Sequence, residues 1–133
     1  MRLIKSLAAV SALVIAATPA LASDWVPVFR TSDNTVTYYD ADTIIRSGNQ
    51  VTVWEKHDHS RNKSNKARET KIRIRYDCKE RTLFFLSAND YYPDGKIESF
   101  TYESDEQAAT AAVPDSRGEA MLEAVCGHEV SVH

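Results

Sequence analysis

Three groups of residues in this chain have the types and spacing that chemistry requires. His57-Asp58-His59 places two imidazoles two positions apart, so on a strand both rings share one face. His128 or His133 can extend that pair toward a metal site, but a zinc centre needs three or four convergent ligands. One short cluster is all that is visible, and histidines at the mouth of a polar loop are more often surface residues. Cys78 and Cys126 are the second group, to be read as a disulfide or as two free thiols. The third is the basic series Lys71, Arg73 and Arg75 in KIRIRYDC, preceded by Arg61, Lys63, Lys66 and Arg68. Such a series is either the solvated face of a strand or a grip for an anionic partner.

Other chemistry fails on parts. Gly48, Gly95, Gly118 and Gly127 are scattered, so no loop cradles a phosphate. No serine sits in a G-x-S-x-G elbow. If the cysteines are bonded, no thiolate nucleophile remains.

The compartment decides the cysteine question. Arg2 and Lys5 precede an apolar run from Leu7 to Ala17, interrupted only by Ser11; Pro19 and Ala20-Leu21-Ala22 follow. This is the pattern of a cleaved export signal, residues 1–22. The run is too short for the roughly 20 residues that span a bilayer, and no cysteine follows it for lipid attachment. A mature chain without a membrane anchor is expected from Ser23, periplasmic or extracellular. Of the 133 residues, 111 then remain as one domain, 23–133. In an oxidising compartment an even pair of cysteines reads first as a disulfide. Closing the 48 residues between them is worth about 4 kcal/mol in the chain-entropy model.

Charge is uneven along the chain. The whole sequence carries −3, and loss of Arg2 and Lys5 leaves 14 basic against 19 acidic residues. Between Glu55 and Arg81 ten basic residues face five acidic ones; beyond Thr82 the ratio is two to ten. A protein that holds nucleic acid through its phosphates is usually basic overall, so nucleic acid is not the expected partner.

The elements that must position these residues read as strands first and a helix last. Trp25–Arg30 is β-prone, with Pro27 marking an edge. Val36–Asp40 follows, then a single turn capped by Asp40. Ile44 and Ile45 form a hairpin with Gln50–Lys56 across Ser47-Gly48-Asn49. The polar stretch 60–69 is a long exposed connection. Arg81–Ala88 is apolar on both faces and so expected to be covered on both sides. Pro93-Asp94-Gly95 turns the chain into Lys96–Tyr102. After Pro114, Ser116 and Glu119 have capping-box form, and Met121, Leu122, Val125 and Cys126 make one apolar helical stripe. The fold class is α+β: an antiparallel meander of about six strands with a C-terminal helix packed on one face.

Period two makes Ile72, Ile74, Tyr76 and Cys78 point together, and turns Lys71, Arg73 and Arg75 the other way. Cys126 lies on the buried helical stripe, so both sulfurs face one interior and a Cys78–Cys126 bond staples helix to sheet. The basic series then lies on the uncovered face, where carboxylates such as Glu55 or Glu98 are expected to offset it if it is only solvated. Of the adjacent pair Tyr38 and Tyr39, one must be exposed.

Several short segments resemble the surface-adhesin protein E family in order and spacing. They are Tyr38-Tyr39-Asp40, Thr43-Ile44-Ile45-Arg46 with Gly48, Val51–Trp54, Tyr76-Asp77-Cys78 with Arg81-Thr82, Asp94-Gly95, Val113–Ser116 and Val125-Cys126. The resemblance spans nearly all of the mature chain and implies an antiparallel sheet tethered to a C-terminal helix. It also implies binding, since the family takes its name from an adhesin that attaches to host matrix and plasma proteins.

The expectation is an exported binding module that is not an enzyme and carries no cofactor or metal. Its contact residues are Lys71, Arg73 and Arg75 with Arg61, Lys63, Lys66 and Arg68. Its partners are host matrix or envelope proteins, or polyanions. The rival readings are a small periplasmic metal carrier or enzyme using His57 and His59, and a structural envelope component.

Overall fold

Alternating sequences joined by short polar turns, with no helix between strands, leave only antiparallel pairing. A computed structural model describes residues 23–102 and 109–128, together with Ser11. Within them lie β1 (Trp25–Arg30), β2 (Val36–Asp40), β3 (Ile45–Ser47), β4 (Gln50–Asp58), β5 (Glu69–Asp77), β6 (Thr82–Tyr91), β7 (Ile97–Thr101), β8 (Thr110–Ala111) and α1 (Arg117–Gly127). All belong to one sheet except the helix, and the main path runs β1-β2-β4-β5-β6-β7. β3 lies end to end with β2 along the same edge of β4, pairing with Gln50–Thr52 where β2 pairs with Glu55–Asp58. The 3-10 turn Ala41–Thr43 joins the two, and Asp40 caps it by accepting from the Asp42 amide at 3.1 Å. In the β3–β4 connection Gly48 supplies the positive φ (58°) of a two-residue hairpin loop. The expected leader, residues 1–22, lies outside the described residues apart from Ser11, as does His133.

The helix covers one face of this sheet. Ser116 is its N-cap, accepting from the Glu119 amide at 3.3 Å, and the Glu119 carboxylate reaches back to the Asp115 amide at 3.2 Å. Met121, Leu122 and Val125 are fully buried against Tyr39, Val51, Val53, Ile74, Tyr76 and Leu83. Gly118, a poor helix former, has a packing reason: a Cβ there would stand 3.2 Å from Leu83 Cδ2. The Cys78–Cys126 disulfide closes the far end of the helix, with the two Cα atoms 5.8 Å apart. Arg46 donates to the Cys126 carbonyl at 3.0 Å, and Arg81 pairs with Glu119 and Glu123 on the outer side. No helix of the described residues is long and apolar enough to cross a membrane.

Two expectations need correction. The strand from Arg81 to Ala88 is not covered on both sides. A bulge in β6 pairs Ser87 with Arg73 but Phe85 with Ile74, leaving Leu86 as the extra residue. Leu83, Phe85 and Ala88 therefore face the helix side, whereas Phe84 faces out, opposite Arg75. The long connection 60–69 is also not wholly exposed. Asn62 and Ala67 are buried, and Asn62 donates to Thr35 Oγ1 at 3.0 Å.

Candidate binding face

The uncovered face of the sheet is built by register. On β4, Thr52, Trp54 and Lys56 point outward, opposite Arg75, Arg73 and Lys71 of β5. Tyr38 of β2 stands opposite Lys56, and Trp25 and Pro27 of β1 continue the face outward. Phe84, Asn89 and Tyr91 of β6 complete it. Cations and aromatic rings thus alternate across the strands. Lys56 Nζ lies 4.7 Å from the Trp25 ring centre and 4.6 Å from that of Tyr38. Lys71 Nζ lies 5.4 Å from the Tyr91 ring, and the Arg75 guanidinium 4.9 Å from Phe84. Each contact has cation–π geometry, worth about 0.5–1 kcal/mol at an exposed site.

This arrangement replaces the expected offset of charge by carboxylates. Glu55 belongs to the opposite, buried face, and Glu98 pairs with Lys96 at 3.0 Å. Glu69, 3.5 Å from Lys71, does contribute. Arg73, like Arg75 and Lys56, has no carboxylate of the described residues within 4 Å, but it is exposed and, unlike them, sits on no ring of the described residues. Of the loop cations, Arg61 meets the face, where it lines a polar cleft of about 230 Å³ with Arg30, Asn34, Tyr38, Asp58 and Ser60. Lys63, Lys66 and Arg68 are exposed on the 60–68 connection at the end of β4 and β5. Lys56 escaped the sequence reading of a contact surface, and the aromatics Trp25, Tyr38, Trp54 and Phe84, able in principle to line a groove, read more simply as core or sheet-face residues. Alternation through QVTVWEK already grouped Trp54 with Lys56; what the sequence withheld was the β4–β5 register.

A second hollow of about 400 Å³ lies at the other end of this face, where the 3-10 turn and β3 lean over β4. Asp42, Ile44, Ile45, Thr52, Trp54 and Arg73 line it. Thr43 holds the turn down: its hydroxyl donates to the Asp40 carbonyl at 3.2 Å and accepts from the Trp54 amide at 3.4 Å.

The histidine pair lies elsewhere and is not a surface feature. His57 and His59 do share a face, but it is the covered one, and both are buried, with ring centres 6.3 Å apart. His57 Nε2 is 3.1 Å from Glu55 Oε2, and Tyr76 donates its hydroxyl to Glu55 Oε1. Both His59 nitrogens are engaged, Nδ1 with Thr35 Oγ1 at 3.0 Å and Nε2 with Thr70 Oγ1 at 2.9 Å. His128 bonds the Tyr39 hydroxyl at 3.0 Å and forms no metal-holding cluster with them among the described residues. Among the described residues no three His, Cys, Asp or Glu side chains converge on a metal position. Burial, and secondarily the Glu55 carboxylate, raise the Tyr76 phenol pKa well above its ordinary value. The pair is part of a buried polar network.

Fold and face together define a small α+β domain whose helix is tied by a disulfide to one side of an antiparallel sheet and whose other side is open. The chain belongs to the surface-adhesin protein E family, whose profile matches residues 25–127. Its fold is similar to that of Haemophilus influenzae protein E (crystal form II), with a TM-score of 0.52 at 14% identity, over 75% of this chain and 87% of that one. Comparison with the sequences of curated proteins gives no significant match.

Proposed function

We propose that this chain is an exported, non-catalytic binding module of the adhesin type that holds acidic partners on the open face of its sheet. Lys71, Arg73 and Arg75, joined by Lys56, form the centre of the contact; Arg61, Lys63, Lys66 and Arg68 form its rim. The observation that carries this reading is the seating of Lys56, Lys71 and Arg75 on aromatic rings across a face that no helix of the described residues covers. Cations held this way lose little side-chain freedom on binding, and Arg, Tyr and Trp are the residue types that dominate interface energetics. The family's adhesin name supports a role in attachment. Partners are polyanions or acidic protein surfaces of host matrix or envelope, reached after cleavage of the leader behind Ala22.

A heparin-like polymer is the direct probe. Retention on an immobilised column at low salt, falling steeply as salt rises, is the expected result despite the chain's net negative charge. Reversal of Arg73 and Arg75 to Glu abolishes it. Absence of retention at low salt, or retention unchanged in the double reversal, overturns the reading. Export is tested separately: N-terminal sequencing of the secreted product gives Ser23 as its first residue.

A further inference from the structure

The hollow under the 3-10 turn has a more specific chemistry than the rest of the face. We infer that it takes one carboxylated sugar ring, a uronate or sialate unit of a glycan, with the carboxylate on Arg73 and the ring against Trp54. This rests on the reading of the open face as the binding surface and gives that surface a ligand class.

Its volume, about 400 Å³, lies at the small end of the range of about 300–1,000 Å³ seen for ligand sites. The walls divide into three kinds. Trp54, Ile44 and Ile45 are apolar, Ile45 being 60% exposed, which is unusual for a large aliphatic side chain. Arg73 offers a planar fork that suits a carboxylate bidentately. Asp42 and Thr52 offer an acceptor and a hydroxyl that make no side-chain hydrogen bond among the described residues, while Thr43 ties the turn to the strand.

A sugar acid uses all three kinds of wall at once. Its C–H face packs on an aromatic ring, its hydroxyls need acceptors as well as donors, and its carboxylate needs the fork. Sulfate or phosphate would use Arg73 but leave the apolar wall unused and give the Asp42 carboxylate no hydroxyl to accept from. An acidic peptide side chain has no polyhydroxylated edge for Asp42 and Thr52. Arg73 and Asp42 line one hollow without pairing, more than 4 Å apart, so a ligand that satisfies both fits between them.

The test is a titration of ¹⁵N-labelled protein with methyl β-glucuronide and N-acetylneuraminic acid, with methyl β-glucoside and sodium sulfate as the comparison arms. Saturable shifts of the Trp54 indole N–H and the 42–45 amides are expected for one or both acids, with the neutral glucoside weaker by about ten-fold or more. Trp54→Leu removes the saturation, and Arg73→Gln brings acid and neutral sugar level. Both changes lie on an open face, and the unchanged amide spectrum elsewhere verifies the fold. Equal shifts from acidic and neutral sugar, equal shifts from sulfate, or no saturable shift overturn the inference. The two readings separate cleanly. Polymer retention that depends on Arg73 and Arg75 without groove shifts sinks the sugar site alone, whereas groove shifts without polymer retention sink the polyanion face alone.

Discussion

At the scale of single residues, the polar atoms in the core carry the sharpest consequences. Val51, Val53, Glu55 and His57 alternate in the sequence, so period two already assigns Glu55 and His57 to the buried face of β4. Their polarity argued the other way, which is why the pair read as surface histidines and Glu55 as a surface counter-charge. A partner makes burial affordable, and the partners, Tyr76 for Glu55 and the threonines Thr35 and Thr70 for His59, come from distant segments that only the fold brings near. Tyr76→Phe should therefore cost more than a lost surface hydrogen bond. It leaves a buried carboxylate oxygen without its donor, roughly 1–3 kcal/mol in chemical denaturation. His59 adds a pH dependence. Burial foremost, then the nearby His57 with Arg117, lower its pKa below the ordinary 6.5, against the opposing pull of Asp90 and Asp58. The unfolded chain thus takes up the proton first, so the stability held by the neutral ring is complete above pH 6.5 and drains away as pH falls through the folded value. The denaturation midpoint should drop between pH 7 and 5, and His59→Gln should flatten that slope. The carboxylates whose pKa values are lowered, Asp33 and Asp58 from an ordinary 3.8 and Glu98 from 4.5, act below those values and stay out of this window.

At the scale of elements, most of the architecture was legible because each boundary carried its own signal. The hairpin turn at Gly48, the Asp40 cap and the Ser116 cap all function as their residue types imply. The bulge in β6 was not legible. RTLFFLSA is apolar through its middle, so nothing in its pattern marks Leu86 as the residue where alternation slips. That slip turns Phe84 outward to meet Arg75 and so helps make the open face. Gly118 shows the reverse case, a poor helix former whose place in the first turn is explained by Leu83 beneath it. Gly118→Val should destabilise by about 1–3 kcal/mol, since the added atoms must displace a buried leucine. The measurement is thermal or urea unfolding; helix propensity alone would make this change slightly stabilising, so a net loss reports the clash with Leu83.

At the scale of the whole molecule, the sheet separates two tasks. Its covered side holds the apolar core, the histidines and the helix; its open side holds the cations and rings. The segregation follows from alternation, because every strand that buries one set of side chains must display the other. The disulfide acts only on the covered side, where it fixes the helix end against β5. Stability and binding should then respond differently to its loss. The variant Cys78→Ser/Cys126→Ser is expected to lose stability toward the chain-entropy figure of about 4 kcal/mol. That is a large part of the roughly 5–15 kcal/mol that holds a domain together. Polymer retention, measured near 10–20 °C where such domains are most stable, should nevertheless stay within about two-fold of the native protein. Lys56, Lys71 and Arg75 keep their rings as long as β4, β5 and β6 stay paired, and the helix touches none of those contacts. A folded double variant that fails to bind the polymer would mean that the helix shapes the open face through the sheet, and the division of labour between the two sides would have to be abandoned.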